Sequence, residues 1–455
     1  HGSCYGMAFL YSGNYSFEAE KDQFGQTRVQ MGILDEMFDY PLKPDEEFYS
    51  PETALAYTSE GLEKLSHIYH ELIRAHVCRG KYKNAARSIL ANNWEATYLD
   101  FDGDKIIEIA RQAAELGIEL FVLDDGWFGK RDTDHSGLGD WTVNEKKLRG
   151  PLSRISGAVN DMGMKFGLWI EPEMVNVDSL LDREHPDWAF VIPGKRPVRC
   201  RSQLVLDFSR KEVVDYIFDS IAKVIDSANV EYIKMDMNRS ICDVFTAVEG
   251  YQNFGKIMYQ YVLGVYDFLE RLNQRYPDML IEGCAGGGGR FDMGMLYYTP
   301  QIWCSDNTDA IERIRIQHGT SYCYPPETMG SHVSAVPNHQ TGRSVDFKTR
   351  GVVAMAGAFG YELDLNLLTE EEKDEVRNQI RDYKKDGELI RSGDYYRLHM
   401  PGKDTETAAW EFVSKDKSKA LVSIVTLDNH GNAPTNYAVT ESNQAFENLV
   451  VLDDT

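Results

Sequence analysis

The chain has 455 residues, enough for two or three domains or for one large barrel with appended pieces. A formal net charge of −24 argues against binding to nucleic acid or anionic membranes, which needs clustered Lys and Arg, and no apolar stretch approaches the ~20 residues of a membrane span. Seven cysteines without CxxC or Cys/His spacing fit free thiols in a reducing compartment better than a disulfide framework or a metal site.

From Cys4 to about Phe38 the pattern is strand-like over residues 5–11, 15–17 and 27–33, broken by Gly and Asn turns. Pro41, Pro44 and Pro51 mark a loop, and residues 61–77 carry Leu62, Leu65, Ile68, Leu72 and Ile73 at helical spacing. Residues 1–84 therefore read as the tail of an N-terminal β-domain plus a linking helix. The chain opens in a strand-like segment and closes on another at 449–452, so both ends read as cut, and the lack of a leader in the sequence carries little weight.

Across residues 85–393 the rhythm changes. Short apolar runs recur at 89–94, 120–123, 165–170, 204–207, 232–237, 279–282, 302–304 and 360–364. Most are separated by helical segments such as 105–116, 211–228, 257–276 and 368–385. Strands alternating with helices predict a parallel α/β architecture, a (β/α)8 TIM barrel. Nearly every run ends in polar or aromatic groups: Asn93 and Trp94, Asp124 and Asp125, Trp169 and Glu171, Lys234 and Asp236, Cys284, Ser305 and Asp306. That distribution belongs to a barrel, whose strand ends all meet at one face; a doubly wound sheet would gather such groups at one switch point. Four glycines from Gly286 lack the context of a phosphate loop and read as main chain approaching a ligand closely. Beyond 394 a strand-and-turn pattern returns at 395–398, 408–413 and 420–426, giving an incomplete C-terminal β-domain over 394–455.

The segment from Tyr232 to Arg239 is the most informative. It sets Lys234, Asp236 and Asn238 at alternate positions, hence on one face of a strand. Charges inside a barrel are costly unless paired, and such pairs serve either chemistry or the fold alone. Asp236 and Asp306 are the two strand-end carboxylates suited to glycosidic cleavage, one as an ionised nucleophile beside Lys234, the other as an acid/base with a raised pKa flanked by Trp303. Asp124 and Asp125 suit sugar hydroxyls or, equally, a divalent cation. Trp94, Trp127, Trp141 and Trp169 suit a sugar face or plain core packing. Asp207 and Glu171 fit loop anchors as well as ligand contacts, and no histidine is assigned a role.

Six strings together resemble the α-galactosidases of glycoside hydrolase family 36, in its bacterial tetrameric branch: Leu123-Asp-Asp-Gly-Trp-Phe-Gly129, Gly167-Leu-Trp-Ile-Glu-Pro-Glu-Met174, Arg201-Ser-Gln-Leu-Val-Leu-Asp207, Lys234-Met-Asp-Met-Asn-Arg239, Glu282-Gly-Cys-Ala-Gly-Gly-Gly-Gly-Arg290 and Trp303-Cys-Ser-Asp-Asn-Thr-Asp309. The resemblance implies a retaining exo-α-galactosidase acting on α-1,6-linked galactose of melibiose and raffinose-type sugars, without cofactor or metal. It makes Asp236 the nucleophile and Asp306 the acid/base, with Asp309 as competitor for the second role. Asp124 and Asp125 correspond to the grip on galactose O4 and O6, and Trp94, Trp169, Arg201, Lys234, Asn238, Cys284, Gly286 and Gly287 to further walls. An α-N-acetylgalactosaminidase or a galactosyl transferase on the same scaffold is the alternative. The chain departs from the family at Met235, usually Trp, and at Cys304, usually Thr. The resemblance also implies an N-terminal β-sandwich of which only the last piece is present, a homo-oligomer (tetramer) of the full-length protein, and a cytoplasmic location in a bacterium.

Overall fold

The computed structural model describes residues 2–250, 254–400 and 407–427, and the backbone of 449–452. Strand Cys4–Phe9 pairs antiparallel with Thr53–Thr58, and Tyr15–Lys21 forms a hairpin with Thr27–Ile33. The hairpin turn is made by Asp22, whose side chain accepts from the Phe24 and Gln26 N–H groups at 2.9 and 2.8 Å. Phe9 and Tyr11 pack against Tyr259 and Val262 of the long helix Phe254–Arg275. That contact seats the N-terminal segment on the outside of the barrel. Helix Leu62–Leu72, continued by a wider turn over Ile73–Val77, leads into the barrel as the apolar spacing predicts.

Eight parallel strands close in chain order. They are Leu90–Asn92, Leu120–Leu123, Lys165–Ile170, Tyr232–Met235, Leu280–Gly283, Gln301–Trp303, Met329–Ser334 and Ala358–Glu362. The helices around them are amphipathic and capped as their sequences dictate. In Gly103–Leu116, Asp102 accepts from the Asp104 and Lys105 N–H groups, and Gly117 ends the helix at φ +91°. Thr369 and Glu372 form a capping box at the start of Glu370–Ser392.

One strand assignment needs correction. Residues 204–207 are not a barrel strand: Gln203–Val205 pairs antiparallel with Met174–Asn176 in an excursion beyond the third barrel strand. The seventh strand is Met329–Ser334 instead. Its sequence, Met-Gly-Ser-His-Val-Ser, is fully buried yet alternates small and polar residues, so it lacks the apolar run expected of a strand buried on both faces. Ser331 bonds Gln317 and His332 bonds Glu362, which is how the interior tolerates them. Strand Thr53–Thr58 also went unread, since it follows directly on the proline-marked loop.

After the barrel, Asp394–His399, Thr407–Val413 and Ala420–Thr426 form an antiparallel sheet, with Leu449–Leu452 added parallel to the last. Tyr395, Trp410 and Phe412 pack on Val352, Val353 and Ile390 of the barrel helices. Among the described residues, no helix is long and apolar enough to cross a membrane.

Candidate active site

A cavity of about 290 Å³ opens at the carboxyl ends of the barrel strands, where enzymes of this architecture place their chemistry. The first two strands stop just short of Trp94 and of Asp124 and Asp125; the third contributes Trp169, and the fourth Lys234 with Asp236 beyond it. Asp306 follows the sixth strand, and Glu362 ends the eighth. A larger cavity of about 540 Å³ lies alongside, between Ser12, Tyr261 and Arg290, and shares Asn238 with the first. Among the described residues no carboxylate lines it, whereas the smaller cavity is ringed by several.

Asp236 is almost enclosed, 7% exposed, and is surrounded by donors. One oxygen, Oδ2, accepts from Asn238 Nδ2 at 2.7 Å and Trp169 Nε1 at 3.2 Å. The other accepts from the N–H groups of Met237 at 2.8 Å and Gly286 at 3.2 Å. Burial pushes this carboxyl up, but the Lys234 charge, the Cys284 thiol, Asn238 and Met237 together outweigh it. The group is held below the ordinary aspartate range, and hence ionised. Lys234 makes its short contact elsewhere, donating to Asp124 Oδ2 at 3.1 Å, and acts on Asp236 through space. Met235 is fully buried and does not line the cavity, as strand alternation requires.

Asp306 lies in the opposite setting. Its side chain is exposed to the cavity and accepts one side-chain hydrogen bond, from Trp303 Nε1 at 3.0 Å. The crowded walls around it and the negative charge of Asp236 push its carboxyl above the ordinary range, more than Lys234 and Trp303 pull it down. The glycine loop links the two acids: Gly286 donates to Asp236, while a Cβ on Gly287 would fall 2.2 Å from the Asp306 backbone nitrogen. Gly287 has φ +78°, so both conformation and space demand glycine there. Asp309, the competitor, is a helix cap. It accepts from the Ile311 and Glu312 N–H groups and from Thr341, pairs with Arg343, and does not line the cavity.

Asp124 accepts from Asn92 Nδ2 at 2.6 Å as well as from Lys234. Asp125 is gripped by Arg131, whose Nη2 lies 2.8 Å from Oδ2 and Nε 2.9 Å from Oδ1. Arg131 is fully buried and also donates to Asn176 at 3.1 Å. Each carboxylate of the pair thus already faces a side-chain cation. Sequence reasoning missed Arg131; the Asp-x5-Arg spacing in the loop after a strand was the available signal. It also missed Glu95, Tyr98, Thr308, His339, Gln340 and Glu362, all of which line the cavity. Burial and the Glu362 charge push Glu95 up, whereas Lys234 and His332 outweigh burial and hold Glu362 down.

Of the walls expected from sequence, Trp94, Trp169, Arg201, Lys234 and Asn238 line the cavity, while Cys284, Gly286 and Gly287 sit directly behind the two acids. Trp127 and Trp141 are core residues, packed on Phe128 and Trp169. Glu171 and Asp207 are loop anchors. Glu171 is fully buried and accepts from the Asn238 N–H and from Gln203, and burial with the nearby Asp236 charge pushes it up to about 8. Asp207 accepts from Ser209.

Comparison with known proteins gives the chain a family. The melibiase family model matches residues 47–393, and that of the glycosyl hydrolase family 36 N-terminal domain matches residues 1–43. The chain belongs to the melibiase family. It is 59% identical over 436 residues to the bifunctional alpha-galactosidase/sucrose kinase AgaSK of Mediterraneibacter gnavus, covering 96% of this chain and 46% of that protein. Alpha-galactosidase AgaA of Geobacillus stearothermophilus is 49% identical over 449 residues, with 98% and 62% covered. The crystal structure of AgaA superposes with a TM-score of 0.93 at 50% identity, covering 95% of this chain and 60% of that one. The chain therefore spans about half to three-fifths of the length of these relatives.

Proposed function

We propose that the chain carries a retaining exo-α-galactosidase that releases terminal α-1,6-linked galactose from melibiose and raffinose-type oligosaccharides. The observation that carries this reading is the pair Asp236 and Asp306, which face one cavity with opposite protonation preferences. In the proposed reaction Asp236 attacks the anomeric carbon as Asp306 protonates the departing glycosidic oxygen, leaving a covalent galactosyl ester. Asp306, now a base, deprotonates a water that attacks the same carbon and releases Asp236. Asn238, Trp169, Cys284 and Gly286 hold the nucleophile. Asp124, Asp125, Lys234 and Arg201 would receive the sugar hydroxyls, and Trp94 would cover the ring or the outgoing sugar. The cavity of about 290 Å³ is at the small end of ligand pockets, which suits one sugar ring held deeply.

Similarity to alpha-galactosidases supports the substrate class, as do variants of AgaA crystallised with raffinose and with stachyose, each at a TM-score of 0.93 to this chain. We also propose the division into residues 1–84, 85–393 and 394–455, homo-oligomeric assembly of the full-length protein, and a cytoplasmic location. A 2-fluoro-galactosyl donor followed by peptide mass spectrometry tests the mechanism: the label is expected on the peptide containing Asp236. A label elsewhere, or inverted product anomer by NMR, would refute it. Nitrophenyl galactoside against its N-acetylgalactosamine counterpart, and product analysis with excess acceptor sugar, separate hydrolase from the two alternatives.

A further inference from the structure

Asp306 sits on an irregular segment between the sixth barrel strand and helix Ala310–Thr320, exposed to the cavity and accepting a single side-chain hydrogen bond. A proton donor must be aimed to within a fraction of an ångström, so something other than its own side-chain contacts must fix it. Arg313, in the first turns of that helix, is 2% exposed and does not line the cavity. Its Nε donates to the Asn307 carbonyl at 3.0 Å and its Nη2 to the Ser305 carbonyl at 2.9 Å, the residues on either side of Asp306. Nη1 reaches the Gly330 carbonyl of the seventh strand at 3.1 Å and the Cys304 sulfur. The guanidinium carbon lies 4.3 Å over the ring of Trp303, the same indole that donates to Asp306. From the other side Gln340 Nε2 donates to the Asp306 carbonyl at 2.9 Å.

We propose that Arg313, with Gln340 opposite it, is a positioning residue that clamps the main chain on both sides of Asp306 and fixes the Trp303 indole, so that the Asp306 carboxyl is aimed at the glycosidic oxygen. The inference rests on the acid/base role proposed for Asp306. Arginine is suited to this task because its planar fork supplies donors in three directions from one rigid group. Lysine carries the same charge as a point on a flexible stem and cannot hold both flanking carbonyls while stacking flat on the indole. Cys304 helps to accommodate the fork: its buried thiol stays neutral, since burial raises it more than Arg313 lowers it.

The test compares kcat/KM for melibiose, whose leaving group needs a proton, with that for dinitrophenyl α-galactoside, whose leaving group does not, in the full-length protein. Arg313→Lys is expected to lose about tenfold to a hundredfold on melibiose and about threefold or less on the activated substrate. A purely structural role for Arg313 would lower both substrates alike, and that result would overturn the proposal. Gln340 also lines the cavity, and Gln340→Ala is expected to show the same selectivity more weakly, in kcat with KM for melibiose little changed. It decides the matter if Arg313→Lys does not fold, because a loss confined to KM would make Gln340 a sugar contact and overturn its part in the clamp. Asp306→Ala measured alongside keeps the two readings apart. If it is selective and the clamp variants are not, the clamp is wrong; if it is unselective, the acid/base role itself is wrong.

Discussion

The ends of the fourth and sixth barrel strands each deliver an aspartate to the same cavity and surround it in opposite ways. Around Asp236 four donors converge, two of them main-chain N–H groups, in a nearly closed space. Around Asp306 a single indole N–H offers little to a carboxylate, and the crowded walls and the neighbouring Asp236 charge favour the protonated form. Two residues of one type are thus driven in opposite directions by their surroundings, one toward a nucleophile and the other toward an acid. Identity at the residue level does not set the role; the count of donors and the sign of the nearest charge do.

Removing the nucleophile should have the largest effect. Asp236→Ala is expected to cut turnover by more than about a thousandfold, with partial rescue by azide entering the vacated space. Retention of more than a few per cent of the rate would show that the enclosed carboxylate is not the attacking one. Asp306→Ala should lose about a hundredfold to ten-thousandfold on melibiose but far less on dinitrophenyl α-galactoside. Equal losses would break the contrast between the two strand ends.

Asp125→Asn is expected to lower kcat/KM about ten- to a hundredfold, the effect of losing one charge-assisted hydrogen bond to the sugar. Thermal stability should fall as well, because the buried Arg131 is left without its carboxylate. Unchanged stability would show that Arg131 is held by its other partners. Asp309→Ala should cost about 0.5–2 kcal/mol in denaturant unfolding through loss of a helix cap, with losses alike on both substrates. Leaving-group selectivity in this variant would transfer the acid role to Asp309.

The smallest effects should differ in sign. Asp236 has a folded pKa below its unfolded value, so its contribution to stability is present above the ordinary aspartate pKa and is lost as pH falls through the folded one. Asp306 has a raised folded pKa, so its ionisation increasingly disfavours the folded state as pH rises past the ordinary value. Near neutral pH the melting temperature should therefore drop in Asp236→Asn and rise in Asp306→Asn. Shifts of the same sign would remove the electrostatic basis of the comparison.

Much of this arrangement was legible because the barrel repeats a simple rule: apolar strand, then chemistry. The rule fails where the interior is polar. Residues 204–207 read as a strand because Leu204, Val205 and Leu206 are apolar, but they serve a two-stranded excursion; Met329–Ser334 is a true barrel strand made of residues that only tertiary hydrogen bonds make acceptable. The same limit applies at the site. Lys234, Asp236 and Asn238 declare themselves by alternation, whereas Glu362, Glu95 and Arg131 gain their meaning from partners 128, 267 and 6 positions away: the Glu362 pull from Lys234, the Glu95 push from Glu362 and the Arg131 grip on Asp125. Asp306 and Asp309 are alike in local sequence; apart from the family resemblance, what separates them is that Asp306 faces the cavity while Asp309 caps the next helix.

Carboxyl carbon-13 NMR of the folded protein, with resonances assigned through Asp236→Asn and Asp306→Asn, tests the central claim most directly. Asp236 should titrate below the ordinary aspartate range and Asp306 above it, and Asp306 should move downward once the Asp236 charge is removed. If Asp306 were the more acidic of the two, or if it did not respond to Asp236→Asn, the assignment of nucleophile and acid to these two strand ends would be contradicted.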